Sequence, residues 1–332
     1  MTLHRQTNFF GLRALLAVAA LAVANSAMAA DDYPSKPIRI IVPYSPGGTV
    51  DLVARVLAQQ LGAQMNAQFM VDNKPGASGV IGSDAAAKAP ADGYTLLVQS
   101  PTLVANPLMQ KKVPYNVARD FTAISLLGSV PMVFTVNASL PVKTLPEFIA
   151  KARANPKDFS FGTSAIGSPM HIAAEAIKHD AKLDVLVVPY KGTANALNDL
   201  LAGQTSAMID AIPSSAPHIA SGKLRAIAVT SKSRVATLPD VPTVAESGLP
   251  GLAAFDMVSW YGLWGPSNLP PGIVNRLATE VAKAMKSPLI AERLGSQNFV
   301  PAGGTPAEFS SYIAKQTAVY ARIVKDANIQ ID

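Results

Sequence analysis

Apolar runs and amphipathic stretches alternate along most of the chain. Residues 38–42, apolar but for Arg39 and rich in β-branched residues, predict a buried parallel strand. Val50, Val53, Ala54, Leu57 and Leu61 then recur at helical spacing and predict a helix over 49–63, with Gly48 or Thr49 as its cap. A strand over 69–72, a loop over 73–79, a short helix over 81–88 and a strand over 95–99 follow. Strand–helix–strand–helix–strand is the order of a doubly wound parallel sheet.

A second unit repeats the alternation. A strand is predicted over 132–136, and a Thr144/Glu147 capping box opens a helix that runs to about residue 154. Strands over 160–162 and 184–188 flank a helix through about residue 179. A helix over 193–202 is stopped by Gly203, and a strand over 206–209 ends in Asp210. The apolar strand over 224–229 is expected to lead back to the first unit. Residues 231–271 are rich in Pro and Gly, show little periodicity and hold both Trp residues. Helices are predicted over 271–286 and 288–297, and from a second capping box, Thr305/Glu308, to about residue 326. The expected fold is α/β: two doubly wound domains, one from 30–101 with 225–285, the other from 102–224 with 286–332.

The first 29 residues read as an export signal. Arg5 and Arg13 are basic, residues 14–24 form an apolar core, and Ala27-Met28-Ala29 is an A-x-A cleavage site. The apolar run is shorter than the roughly 20 residues of a membrane span, and no Cys follows for lipidation. The 332-residue chain has no Cys at all, which removes thiol catalysis, disulfides and Cys-ligated metals. Its net charge of +6 is spread out, without the Lys/Arg clusters and interleaved aromatics of a nucleic-acid surface.

Four short loops rich in Gly, Ser and Pro sit where strands hand over to helices: residues 43–49, 99–102, 162–169 and 189–193. Small residues there let main-chain N–H groups at helix starts point at an anion. In the first, Gly47 and Gly48 permit a tight turn after Tyr44 and Pro46, and the helix behind Thr49 adds a partial positive charge. In the third, Thr163, Ser164 and Ser168 offer hydroxyls around Ala165 and Gly167. An ordinary βα turn is the competing reading of each loop. Two such loops in separate domains, however, point to a cleft for a small anion. Ser100 and Thr102 lie at a strand's C-terminal end, as does Asp210, which can instead cap the next helix. Ser78, in the glycine-rich loop 73–79, completes the candidate set. Asp51 is read as a helix-start carboxylate and Lys191 as a solvated surface residue.

Rival chemistries fit poorly. The run 76–82 lacks both the G-x-G-x-x-G and the G-K-[ST] patterns of nucleotide loops. Ser164 lies in G-x-S-x-x-G, one residue off the hydrolase elbow, and only His171 stands near it, where helix packing explains it as well. His171, His179 and His218 show no metal-ligand spacing, so neither a metal nor another cofactor is expected.

The opening 33–39 running into 42–51 resembles the Bug-type substrate-binding proteins of tripartite tricarboxylate transporters. The stretches 73–79, 91–96, 188–192, 222–226, 238–243 and 246–250 fit the same ordered pattern, so the resemblance covers essentially the whole mature chain. It implies two α/β domains of the periplasmic binding protein type, joined by hinge strands and closing on one ligand in the periplasm. It implies that the 44–49 and 163–168 loops grip a carboxylate largely by main-chain groups and waters, with Ser100, Thr102 and Asp210 at the ligand's other end. Met170, where many relatives carry a polar residue or His, leaves the ligand open among di- and tricarboxylates, acidic amino acids and aromatic acids. The implied partner is a membrane permease, and the implied state is a monomer that binds no nucleic acid. A ligand-dependent partner of a membrane histidine kinase would share the fold, and a periplasmic serine hydrolase is the remaining alternative.

Overall fold

The computed structural model describes residues 33–190, 192–295 and 297–329. The expected leader, its cleavage site and Lys191 lie outside these residues. The first unit runs β1 (Ile38–Val42), α1 (Thr49–Met65), β2 (Phe69–Asn73), α2 (Val80–Ala87) and β3 (Thr95–Gln99), close to the predicted order. Next come α3 (Thr102–Met109), α4 (Val117–Asp120) and β4 (Phe121–Asn137). The second unit runs α5 (Leu145–Ala154), β5 (Ser160–Thr163), α6 (Pro169–Asp180), β6 (Leu186–Pro189), α7 (Thr193–Leu201), β7 (Ala207–Ala211), α8 (Ile212–Ala220) and β8 (Leu224–Val229). The chain ends with β9 (Val258–Pro266), α9 (Pro271–Ala284), α10 (Pro288–Gly295), β10 (Val300–Pro301) and α11 (Pro306–Asp326).

The strands form one sheet in the order β2-β1-β3-β9-β4-β7-β5-β6, with β8 and β10 also pairing β4. Its wings are parallel, as the apolar runs predict: β1 with β2 and β3, and β5 with β6 and β7. The middle is antiparallel. Residues 121–131 of β4 pair with β9, while residues 132–137 pair with β7 and β8. One 17-residue strand therefore serves both halves, where the sequence pattern marks only 132–136. Register shifts between Ala123 and Ser125, Leu126 and Gly128, and Phe134 and Thr135 bend it along the way. β8 stays beside the C-terminal part of β4, and the chain rejoins the first half's sheet at β9.

The α/β expectation thus holds, with a mixed centre between parallel wings. The predicted helical face of α1 is buried: Val53, Leu57 and Leu61 pack with Ile38, Ile40 and Leu263. On the other face, Trp260 and Trp264 of β9 hold Phe309 of α11, with ring centroids 6.1 and 5.0 Å away. Gly262 lies between the two tryptophans, where a Cβ would come within 2.2 Å of the Phe309 ring. α3 escapes the sequence pattern because it contains Pro107. Proline leaves the Leu103 carbonyl without its helical N–H, and the Tyr115 hydroxyl donates to that carbonyl at 3.3 Å.

Candidate functional site

The 44–49 loop is built by three side chains behind it. Asp51, buried in the first turn of α1, accepts the Gly47 N–H at 3.0 Å and the Arg55 Nε at 2.9 Å. Asn73 Nδ2 donates to the other Asp51 oxygen at 2.9 Å and to the Tyr44 carbonyl at 3.0 Å. Burial pushes the Asp51 pKa up, but the bonds from Arg55, Gly47 and Asn73 outweigh it and hold the group below its ordinary value. The carboxylate is thus committed to the loop. The N-cap of α1, Gly48, makes no side-chain cap hydrogen bond.

Gln99, fully buried at the end of β3, organises the next group. Its Oε1 accepts the Ser100 N–H at 2.7 Å and both the Ser100 and Thr102 hydroxyls, at 3.2 and 3.3 Å. The Tyr44 phenol joins the same cluster, in hydrogen bonds with Thr102 Oγ1 and with Ser100 Oγ at 3.3 Å. Burial raises the Tyr44 pKa against the opposing pull of these bonds, so the phenol stays protonated. Opposite, the Asn106 amide donates to the Ser78 carbonyl at 3.0 Å, holding a loop in which Ala77, Ser78 and Gly79 all have positive φ.

The 163–168 loop spends much of its polarity on itself. Ser168 caps α6, accepting the His171 N–H at 3.2 Å and donating to the Ala165 carbonyl at 2.9 Å. The Gly167 N–H goes to His171 Nδ1 at 3.2 Å. Burial, with Lys178 nearby, pushes the His171 pKa down to about 4, so the ring is neutral and its Nδ1 is an acceptor. The Ser164 hydroxyl donates to Ser168 Oγ, at 3.5 Å, and not to His171. α7, by contrast, starts without a side-chain cap at Gly192, whose N–H is bonded to the Ser164 carbonyl at 2.8 Å.

These groups meet around a cavity of about 500 Å³. Of the predicted residues, Tyr44, Gly48, Thr49, Ser78, Ser100, Thr102, Ser164, Ala165 and Ser168 line it. Pro46, Gly47, Thr163, Gly167 and Asp210 are not among the lining residues. Thr163 is buried beneath the loop. Asp210 is fully buried on β7, where it accepts the Ser215 hydroxyl at 3.1 Å and its Oδ1 has no hydrogen-bond partner. Burial pushes its pKa up to about 6.

Val50, Ile166, Pro169 and Met170 give the cavity its apolar wall, and Gly192 and Thr193 bring in the start of α7. Ser259 and Tyr261 complete the lining from β9. The sequence does carry a signal for that strand, since Ser259, Tyr261 and Leu263 alternate with Trp260, Gly262 and Trp264 at a period of two. The surrounding Pro and Gly mask it.

Two α/β halves sharing a central strand, with uncapped helix starts around a cavity, define a periplasmic binding protein fold. The adipate-bound structure of Rpa4515 from R. palustris superposes with a TM-score of 0.80 at 34% identity, covering 90% of this chain and 99% of that one. The malate-bound structure of MatC from Rhodopseudomonas palustris gives a TM-score of 0.76 at 27% identity, covering 88% and 100%. Protein BugT of Bordetella pertussis is 36% identical over 324 residues, 96% of this chain and 98% of its own. The family model of the tripartite tricarboxylate transporter family receptor matches residues 53–329, and the chain belongs to that family. The family's role is that of a substrate-binding receptor.

Proposed function

We propose that the protein captures a small carboxylate in the 500 Å³ cavity and delivers it to a membrane permease of the tripartite tricarboxylate type. The observation that carries this reading is the pair of uncapped helix starts, at Gly48 of α1 and Gly192 of α7, that border one cavity. Each turns the positive end of a helix dipole toward the cavity, so the pair can attract a carboxylate without a guanidinium. Around them stand hydroxyls from Thr49, Ser78, Ser100, Thr102, Ser164 and Thr193. Adipate in one relative and malate in another support the same ligand class.

The first half, built on β1–β3 and β9, and the second, built on β5–β8, act as two lobes that close on the ligand about β4 and the crossing segment 230–257. Ligand contacts to both lobes favour the closed state. The protein works in the periplasm as a monomer, after cleavage behind Ala29, and carries out no chemistry on its ligand.

A thermal-shift screen of the purified protein against small carboxylates, each beside its neutral amide, tests this. Ligand at about 1,000 times its Kd adds roughly 4 kcal/mol of stability. A shift with an acid and none with its amide is the expected result. Turnover of a carboxylate, or binding of the amide as tightly as the acid, overturns the reading.

A further inference from the structure

Ser259 and Tyr261 are both buried, point from β9 to one face of the sheet, and line the cavity from a strand outside every glycine-rich loop. The Ser259 hydroxyl donates to the Tyr261 oxygen at 3.0 Å. This leaves the phenol its own proton to donate, and burial pushes its pKa up to about 12, so that proton stays in place. The Thr49 hydroxyl, in the first turn of α1, faces the same phenol.

A buried donor beside an apolar wall of Val50, Ile166 and Met170 has a consequence for the ligand. A ligand with one carboxylate and a wholly apolar remainder satisfies the helix starts but lays hydrocarbon against two hydroxyls. Leaving buried polar groups unpaired is costly, and sites built to hydrogen-bond a group reject analogues that lack it. We infer that Ser259 and Tyr261 are specificity-determining residues that read the ligand's second carboxylate. This rests on the carboxylate-receptor reading and narrows it to diacids. β9 pairs with β4 through Ser259–Val130 and Tyr261–Gly128, close to where β4 passes from one half to the other. A ligand held there is gripped beside the shared strand.

The test uses two matched pairs of acids, adipate with hexanoate and malate with 3-hydroxybutyrate, titrated by calorimetry into the native protein, Tyr261→Phe and Ser259→Ala. Within each pair only the second carboxylate differs. The native protein is expected to prefer the diacid of at least one pair by about tenfold or more. In each variant that preference drops to about threefold or less, because the diacid loses affinity and the monoacid does not. Tyr261→Phe keeps the ring packed against Phe299, and Ser259→Ala removes only the hydroxyl, so either variant alone suffices if the other folds poorly. Equal loss of both acids in a variant, or an unchanged preference, overturns the inference and leaves the receptor reading standing. Failure of the native protein to bind any of the four acids and any acid of the broader screen overturns both.

Discussion

The Asp51 carboxylate accepts the Gly47 N–H at 3.0 Å, so a residue inside α1 sets the shape of the loop that precedes it. With Asn73 bonded both to Asp51 and to the Tyr44 carbonyl, the two ends of residues 44–47 are tied to one buried acid. Asp51→Ala is expected to cost about 1–3 kcal/mol of stability and to weaken carboxylate binding by about tenfold. Because the folded state holds Asp51 below its ordinary pKa, its contribution is complete above the unfolded value. It is lost as pH falls below about 4. Acid unfolding followed by circular dichroism should show a shallower loss in Asp51→Asn than in the native protein. Identical acid limbs would contradict this.

Asp210 has the opposite sign. Its folded pKa is raised to about 6 by burial, so the folded state binds the extra proton. Stability from this group is present at low pH and declines as pH rises from about 4 through 6, by at most about 1.4 kcal/mol for each pH step of one. Asp210→Asn keeps the Ser215 bond and removes the buried charge, so its gain in Tm over the native protein should be larger at pH 7 than at pH 4. Asp210 does not line the cavity, so carboxylate affinity should stay within about threefold. A large affinity loss with an unchanged Tm would put Asp210 in the binding site after all.

Gly79 sits at φ +88, and a Cβ there would come within 2.8 Å of Gln99 Nε2 and 3.2 Å of the Tyr44 hydroxyl. Gly79→Ala should therefore disturb the Gln99–Ser100–Tyr44 cluster as well as strain the backbone, by about 1–3 kcal/mol together. Gly192→Ala is the useful contrast, since its φ of +106 is also strained but nothing lies within 4 Å of its Cβ. Thermal unfolding should place Gly79→Ala well below Gly192→Ala. Equal Tm values would show that the crowding around Gln99 is unimportant.

His171 is held neutral, with its pKa near 4, and its Nδ1 accepts the Gly167 N–H. A base with a depressed pKa supports the fold above its unfolded value, about 6.5, and that support is lost as pH falls through the folded one. His171→Ala should loosen the 165–168 turn and weaken ligand binding by a few-fold to tenfold. Ser164→Ala should weaken binding by a smaller factor and abolish no activity. Ester or amide hydrolysis that disappears in Ser164→Ala would revive the hydrolase alternative.

The sequence by itself determined the local elements and the places where the chain turns. Val53, Leu57 and Leu61 fixed the buried face of α1, the Thr305/Glu308 pair fixed the start of α11, and Gly47 and Gly48 fixed the first loop. Those signals are legible because each depends on residues within a few positions of one another. Tertiary structure alone decided which of the small-residue loops spend their polar groups within their own turn. Ser168 and Gly167 are spent within their own turn, while α1 and α7 begin uncapped, and only folding shows which N–H finds a partner. It likewise decided that Ser259 and Tyr261 face the cavity, because a residue's side of a sheet is set by pairing, here to strands more than a hundred positions away.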